Sequence, residues 1–469
     1  MATRPSDTMD LVPRLQSIDR TSATNGALAI AGNVGGNVYN YAGSSRYVDE
    51  ETKREVCLDT LFVTDPEIVR SNLVEQKGER VPKTCEWILQ NAAYQGWTEK
   101  DNGLLWISGE PGQGKTMISI FLTQELESRE EKVSAVTFFF CSHQDDDRKS
   151  AAAVLRTLLY QILTKRPNLV EHFWPYLKSA HNERNSGRKR HDMVLASEKT
   201  LWEMFLLCLK DQRLGSLLFL LDGVDECTDD IFVTKFTGLF AEASLIAPGN
   251  KFKMILVSRD NVHLHGQAQI KLDPDQKYLL ATDIERFISA RVAAVPRLRG
   301  LTDSVRKEIK KILKDKSGGT FLWVGFVVYE LSRKKTVSEM MDSLETIPPD
   351  LDGIYKRILD QIKEEHREES AKLLRLVTYA LRSLTLDEVA FALDIQATDQ
   401  LDAETVVRDK VAHCFQIITI NERKLTLVHQ SVNDYLLRAY GRDANNDGTM
   451  DPFCGSVEDG HLSLAESCL

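Results

Sequence analysis

The chain has 469 residues, 42% hydrophobic and 27% charged, a globular balance and a length suited to about three domains. Its formal net charge of −10 argues against general binding to nucleic acid or to a membrane surface. The eight cysteines form no C-x-x-C pair or metal-like cluster, and Met1–Asp7 has no apolar signal-peptide core, so a cytoplasmic protein with reduced thiols is expected.

Residues 1–48 lack helical or strand periodicity and are rich in Ser, Thr, Asn and Gly. Within them Ala27–Tyr41 is uncharged, free of proline, and alternates small or polar residues with apolar ones, a composition able to stack into cross-β. A flexible tail is the simpler reading of the same residues. Residues 49–95 read as polar helices whose last amphipathic run ends at Cys85–Leu89 and packs against the sheet that follows. Asp101-Asn102-Gly103 then turns the chain into the apolar strand Leu104–Ile107.

Directly behind that strand stands Gly109-Glu110-Pro111-Gly112-Gln113-Gly114-Lys115-Thr116, followed by the helical run Met117–Leu126. Strand, GxxxxGK[ST] and helix in this order are the pattern of a phosphate-binding loop. The glycines let backbone N–H groups turn inward around a polyphosphate, helped by the helix N-terminus. Lys115 is then placed to reach the β- and γ-phosphates, and the Thr116 hydroxyl to hold Mg²⁺. Glu127–Lys132 is charged and expected to be solvated, and Val136–Cys141 is a second buried strand. Ala151–Leu163 has one apolar face at helical spacing. Ser179–Ser197 is a polar insertion holding Arg184, Arg188, Lys189, Arg190 and His191, without the interleaved aromatics of a nucleic-acid surface.

A third strand, Leu217–Leu221, runs into Asp222-Gly223-Val224-Asp225-Glu226. An apolar strand ending in Asp places a carboxylate at the sheet edge where open α/β folds bind ligands. Asp222 suits Mg²⁺, directly or through water, while Asp225 and Glu226 could orient or polarise an attacking water. Three acids at one strand end repel one another unless a cation sits nearby. The fourth strand, Met254–Val257, ends in Ser258-Arg259, and this Arg is either an exposed surface residue or a contact to a γ-phosphate. Ile270–Leu272 suggests a short fifth strand.

Helical patterns then take over at Asp283–Val295 and Ser304–Lys314. After the Gly318-Gly319 break, Thr320–Leu331 is too short to span a bilayer and reads as a buried helix. Beyond Pro348-Pro349 come helices at Tyr355–Glu364 and Ala371–Leu381, then a turn and capped helix over Leu384–Leu393. Phe415–Ile420 and Lys424–Val428 form a hairpin around Asn421-Glu422-Arg423. Helices followed by a small hairpin suggest a winged-helix unit. Periodicity fades beyond Tyr440, and no ankyrin or WD repeat is visible.

Taken together, Gly109–Thr116, Asp222–Glu226 and Ser258-Arg259 resemble the NACHT-type nucleotide-binding domain of the STAND class of signalling NTPases. Arg80–Trp87, Gly319–Trp323 and Leu427–Leu436 are similar to segments of fungal NACHT proteins of the vegetative-incompatibility and NOD-like type. The resemblance covers roughly residues 55–440. It implies an α/β fold: a P-loop NTPase parallel sheet of the additional-strand type, followed by a helical domain and a winged-helix domain. The expected division is a tail at 1–48, a helical segment at 49–95, the nucleotide-binding domain at 96–275, the helical domain at 276–350, the winged helix at 351–440 and a C-terminal tail at 441–469. It also implies ATP or GTP with Mg²⁺ as ligand, Arg259 as sensor of the γ-phosphate, and His429 as the winged-helix contact to a β-phosphate. Taken alone, His429 reads as a structural histidine. A Gly-x-Pro motif that meets the base in related switches is replaced here by Gly319-Thr320-Phe321, which leaves the choice of base open. Gly32–Asn40 loosely resembles the short prion-like motifs found ahead of such domains. Related chains continue into sensor repeats where this one ends at Leu469, so a fragment, a truncated product or a lost sensor is implied.

The expectation is therefore a slow, regulatory triphosphatase: closed with diphosphate, homo-oligomeric with triphosphate, and passing its signal to a downstream effector through the N-terminal motif. Neither nucleic acid nor membrane is an expected partner. The rival readings are a mechanical ATPase acting on nucleic acid or protein, and a nucleotide-bound scaffold that does not hydrolyse.

Overall fold

Leu104–Ile107 forms the middle of strand β1 (Gly103–Ser108) in the computed structural model. The residues described are 48–128, 134–183, 197–227, 233–238, 249–260, 268–272, 277–397, 401–414, 417–443 and 453. The stretch 27–41, the basic residues of the 179–197 insertion and the final residues 461–469 lie outside them.

The remaining apolar runs become β2 (Ser134–Phe140), β3 (Ser216–Asp222), β4 (Lys251–Ser258) and β5 (Ala268–Lys271). Among the described residues these strands make a five-stranded parallel sheet in the order β2-β3-β4-β1-β5. Strand β4 is thus inserted between the strand that leads into the glycine-rich loop and the strand that ends in Asp222, the additional-strand arrangement.

Helices cover both faces, which is why the strands are continuously apolar instead of alternating. Successive side chains go to opposite cores. Trp106, Phe219 and Leu256 pack with the helices Ala151–Lys165, Val170–Glu183 and Glu198–Lys210. Ile107, Leu220 and Val257 pack with the helix Lys115–Ser128 and with Ile88, Tyr94 and Trp97 from the preceding helical segment.

A separate core organises residues 277–443. The helices Lys277–Ala294, Asp303–Lys316, Phe321–Arg333 and Val337–Thr346 come first. The Phe321–Arg333 helix is buried as expected, with Trp323 donating its indole N–H to the Pro348 carbonyl at 2.8 Å. A winged-helix unit follows. Its helices include Leu351–Asp360, Glu364–Tyr379, Leu386–Ala392 and Ala403–His413, and its small antiparallel sheet orders β6 (Leu384–Thr385), β8 (Lys424–Leu427) and β7 (Ile418–Asn421). A last helix, Gln430–Asp443, starts two residues after the hairpin's neighbour Val428. The described residues from Arg54 to Asp443 belong to one compact unit.

Several boundaries differ from the sequence expectation, each for a local reason. The helix expected at Tyr355–Glu364 starts at Leu351 because Asp350 caps it, accepting from the Gly353 N–H at 2.7 Å, and it ends at Asp360. The next helix begins at Glu364, not Ala371. Asn421 pairs with Lys424 inside the hairpin, so the turn is the two residues Glu422 and Arg423, both at positive φ as a tight hairpin turn requires. Glu127 is not simply solvated: Arg70 holds its carboxylate at 2.6 Å, with both side chains mostly covered. The six described cysteines are buried, and none of them is in a disulfide. Among the described residues no helix is long and apolar enough to cross a membrane.

Leu220 sits at the centre of the sheet with none of its surface exposed. Leu220→Ala is expected to lower the unfolding free energy by about 3 kcal/mol, measured as a shift of the urea midpoint.

Candidate functional site

Parallel register brings the candidate residues to one edge. Ser108 pairs with Ser258, Phe140 with Asp222, and Asp222 with Val257, so four strands end flush. The glycine-rich loop leaves β1, His143 follows β2, Gly223–Glu226 follow β3, and Arg259 follows β4.

In the loop, Gly112 and Gly114 take φ of 77° and 82°, which side-chain-bearing residues rarely adopt. A Cβ on Gly112 would also lie 2.7 Å from Thr320 Cγ2. The reason for that closeness is a backbone contact: the Phe321 and Leu322 N–H groups donate to the Gly112 carbonyl at 2.9 and 3.4 Å. These are first-turn N–H groups of the Phe321–Arg333 helix, which have no partner within their own helix. Gly319-Thr320-Phe321, where the Gly-x-Pro motif is missing, therefore sits on the phosphate loop. The Lys115 ammonium folds back onto the Gly109 and Glu110 carbonyls at 2.8 and 2.9 Å. Burial pushes its pKa down, against the pull of Asp225 and Asp222.

Asp222 is buried and accepts from the Ser119 hydroxyl at 2.8 Å, with the Thr116 hydroxyl as a second partner. Burial pushes its pKa up to about 6 against those hydroxyls. Ser119 was not singled out in the sequence; its signal was a small polar residue one turn beyond Thr116 on an otherwise apolar helix face.

Burial first, and then Glu226 beside it, also raise the pKa of Asp225. The Arg259 backbone N–H donates to Asp225 Oδ1 at 3.1 Å and its Nε meets Oδ2 at 3.1 Å. The other end of the same guanidinium reaches Asp434 of the last helix at 2.5 Å. Glu226 is turned toward His143, whose backbone N–H and Nδ1 lie 3.3 and 3.4 Å from Oε2. Burial opposes ionisation of Glu226, but His143 and His429 outweigh it and hold its pKa down. His143 and Asp434 are further residues to which the sequence assigned no role: Asp434 lies within the Leu427–Leu436 segment, and His143 stands in no motif.

His429 reaches the same place from the winged-helix unit. Its Nδ1 accepts from the Ser431 N–H at 3.1 Å and faces the Ser431 hydroxyl at 2.7 Å. Tyr355 contacts that hydroxyl at 2.8 Å. With Nδ1 engaged as acceptor, the neutral ring carries its proton on Nε2. Burial, together with Lys77, Lys115 and Arg259, pushes the His429 pKa down to about 3 against the pull of Glu226.

These groups share one cavity of about 640 Å³. It is lined by Gly112, Gln113, Gly114, Lys115, Thr116, Asp222, Asp225, Glu226, Arg259 and His429, and its apolar wall includes Trp87, Phe287, Phe321 and Phe326. Of the expected loop residues, Gly109, Glu110 and Pro111 do not line it.

Residues 83–259 match the family described as Nephrocystin 3, N-terminal, and residues 355–447 match the GPI inositol-deacylase winged helix domain. The chain is 28% identical to vegetative incompatibility protein HET-E-1 of Podospora anserina over 415 residues, covering 86% of this chain and 29% of that one. Over 106 residues it is 31% identical to azaphilone pigments biosynthesis cluster protein L of Monascus ruber, covering 20% of this chain and 22% of that one. It thus spans less than a third of either relative. Solved structures are more distant. A STAND protein with a tetratricopeptide repeat sensor from Pyrococcus horikoshii aligns with TM-score 0.37 at 13% identity, covering 78% of this chain and 42% of that one. Cdc6p of Pyrobaculum aerophilum aligns with TM-score 0.35 at 14% identity, covering 82% and 95%. The sequence likeness to a fungal vegetative-incompatibility protein agrees with the NACHT-type resemblance of the motifs.

The His429 environment has a consequence for pH. Its folded pKa lies below the usual value for a histidine, so the unfolded chain binds more protons between about pH 6.5 and 3, and stability is lost as pH falls through that window. Going from pH 7 to 5, His429→Gln is expected to lose on the order of 1 kcal/mol less stability than the parent chain, read from urea midpoints at the two pH values.

Proposed function

We propose that the cavity binds a nucleoside di- or triphosphate with Mg²⁺ and that the chain is a slow, regulatory NTPase switch of the NACHT type. One observation carries this reading: the phosphate loop, the Asp222–Glu226 turn, Arg259 and the winged-helix His429 all line one cavity. A winged-helix residue at the phosphate loop gives the bound nucleotide a handle on domain position.

In this reading the N–H groups of Gly112–Thr116 and the helix start cradle the phosphates, and Lys115 swings from the Gly109 and Glu110 carbonyls onto them. The donor set suits Mg²⁺: Asp222 is a buried carboxylate whose neighbours are the Thr116 and Ser119 hydroxyls, hard oxygens in need of a cation. Held by Thr116 and Asp222, the ion would neutralise phosphate charge. Asp225 and Glu226 orient the attacking water, and Arg259 senses the γ-phosphate. The Nε2–H of His429 donates to the β-phosphate of a diphosphate and keeps the winged helix closed. The aromatic wall of Trp87, Phe287 and Phe321 offers a face for the base of ATP or GTP.

Exchange for triphosphate opens the units, permits homo-oligomerisation, and lets the N-terminal motif engage a downstream effector; hydrolysis resets the switch. Nucleotide shifts the two states only by its difference in affinity for them. Likeness to HET-E-1 suggests a setting in fungal heterokaryon incompatibility or innate immunity. Neither nucleic acid nor membrane has a part in this reading.

The test is to purify the chain, identify any bound nucleotide by mass, and follow a single turnover of ATP and of GTP. Lys115→Ala is expected to lose nucleotide, and Glu226→Gln to keep it while forming product roughly 100-fold more slowly. Absence of binding to either nucleotide would sink the proposal. Product formed equally fast by Glu226→Gln would remove that residue from its role.

A further inference from the structure

We propose that Asp434 is the residue that sets the preference for diphosphate over triphosphate, by occupying the Arg259 guanidinium that a γ-phosphate would need. This rests on the reading of the cavity as a nucleotide site.

Arg259 follows β4 and lines the cavity with Lys115, yet its charged end is already divided between two carboxylates. Asp225, from its own unit, takes the backbone N–H and Nε. Asp434, from the last helix of the winged-helix unit, takes NH1 at 2.5 Å with its side chain 28% exposed. A guanidinium has five N–H donors in a fixed fork, so a second anion can approach only by displacing a carboxylate. Asp225 is tied by the backbone of Arg259 itself and cannot readily leave. Asp434 can, because it moves with a different unit. Beside Arg259, its carboxylate meets Gln430 Nε2 at 3.4 Å, a long and weak second tie.

A diphosphate leaves this arrangement intact: its phosphates meet the loop, Lys115 and His429. A triphosphate adds a further negative group at the position where Asp434 already stands, and like charges so close repel. Arg259 then trades Asp434 for the γ-phosphate, and the helix Gln430–Asp443 loses its charged tie to the sheet. Asp434 is thus a stand-in for the γ-phosphate, placed on the unit that must move.

The experiment uses the full chain with Mg²⁺ and measures affinity for the diphosphate and for a non-hydrolysable triphosphate, in both adenine and guanine forms. Asp434→Asn keeps shape and removes charge. The ratio of triphosphate Kd to diphosphate Kd is expected to fall roughly tenfold, the scale of one charged hydrogen bond. Ser383→Ala is the comparison, because it weakens a different contact of the winged-helix unit, the hydroxyl bond to the Gln144 carbonyl at 2.8 Å, and is expected to leave the ratio unchanged. Should Asp434→Asn not fold, Asp434→Ser reads the same ratio. A ratio within twofold of the parent chain, with both nucleotides still bound, overturns the role of Asp434 and leaves the nucleotide site standing. An equal shift in Ser383→Ala overturns it too, since general loosening would then suffice. If the parent chain binds neither nucleotide, the underlying reading falls and Asp434 with it.

Discussion

Everything at the site depends on the register of a parallel sheet. Because β1, β3 and β4 pair so that Ser108, Asp222 and Ser258 end together, the loop, the acidic turn and Arg259 emerge within reach of one another although 150 residues separate them in sequence. The pairing is fixed by burial on both faces. A slip of one residue would exchange the Trp106, Phe219, Leu256 set with the Ile107, Leu220, Val257 set and present every side chain to the wrong core. The chemistry therefore rests on apolar packing that takes no part in it.

The same edge concentrates charge. Asp222, Asp225 and Glu226 lie within five residues, in surroundings that oppose ionisation of each. Each has a different remedy. Hydroxyl donors serve Asp222, whose pKa burial still holds up at about 6. Arg259 serves Asp225, and His143 serves Glu226. One carboxylate is met by hydroxyls, one by a guanidinium and one by an imidazole. Three neighbouring acids thus sit in three different environments.

Much of this was legible in the sequence. The phosphate loop, the five strands and the acidic turn are local patterns, legible from residues a few positions apart. The buried helix at Phe321–Arg333 was legible for the same reason, since its apolar residues recur at helical spacing. Asp434, His143 and Ser119 were not, because their roles come from partners 175, 83 and 103 residues away. Helix ends at Asp360 and Glu364 also escaped notice: the apolar pattern runs on across 361–363 while the backbone does not. Family likeness supplied His429, a residue whose composition alone suggests a structural histidine.

The winged-helix and helical units touch the nucleotide unit at points that surround the acids. Phe321 and Leu322 bond to Gly112 on one side, and Arg259 meets Asp434 in the middle. On the far side the Ser383 N–H and hydroxyl grip the Gln144 carbonyl at 2.9 and 2.8 Å, while Lys149 holds the Leu381 carbonyl at 2.8 Å. Gln144 is the neighbour of His143, so the winged helix reaches Glu226 through two intervening residues. At the margin, Asn72 donates to Glu422 at the tip of the hairpin, at 2.8 Å. Each of these contacts is worth no more than about 1–3 kcal/mol, and none could hold a domain alone. Their arrangement matters more than their sum. Those at Gly112 and Arg259 adjoin the cavity, whereas Gln144, Lys149 and Asn72 lie outside its lining. An occupant of the cavity would therefore act directly on the first two contacts and leave the others as a passive clamp, which is why removing the Ser383 hydroxyl and removing the Asp434 charge are different perturbations of the same seam.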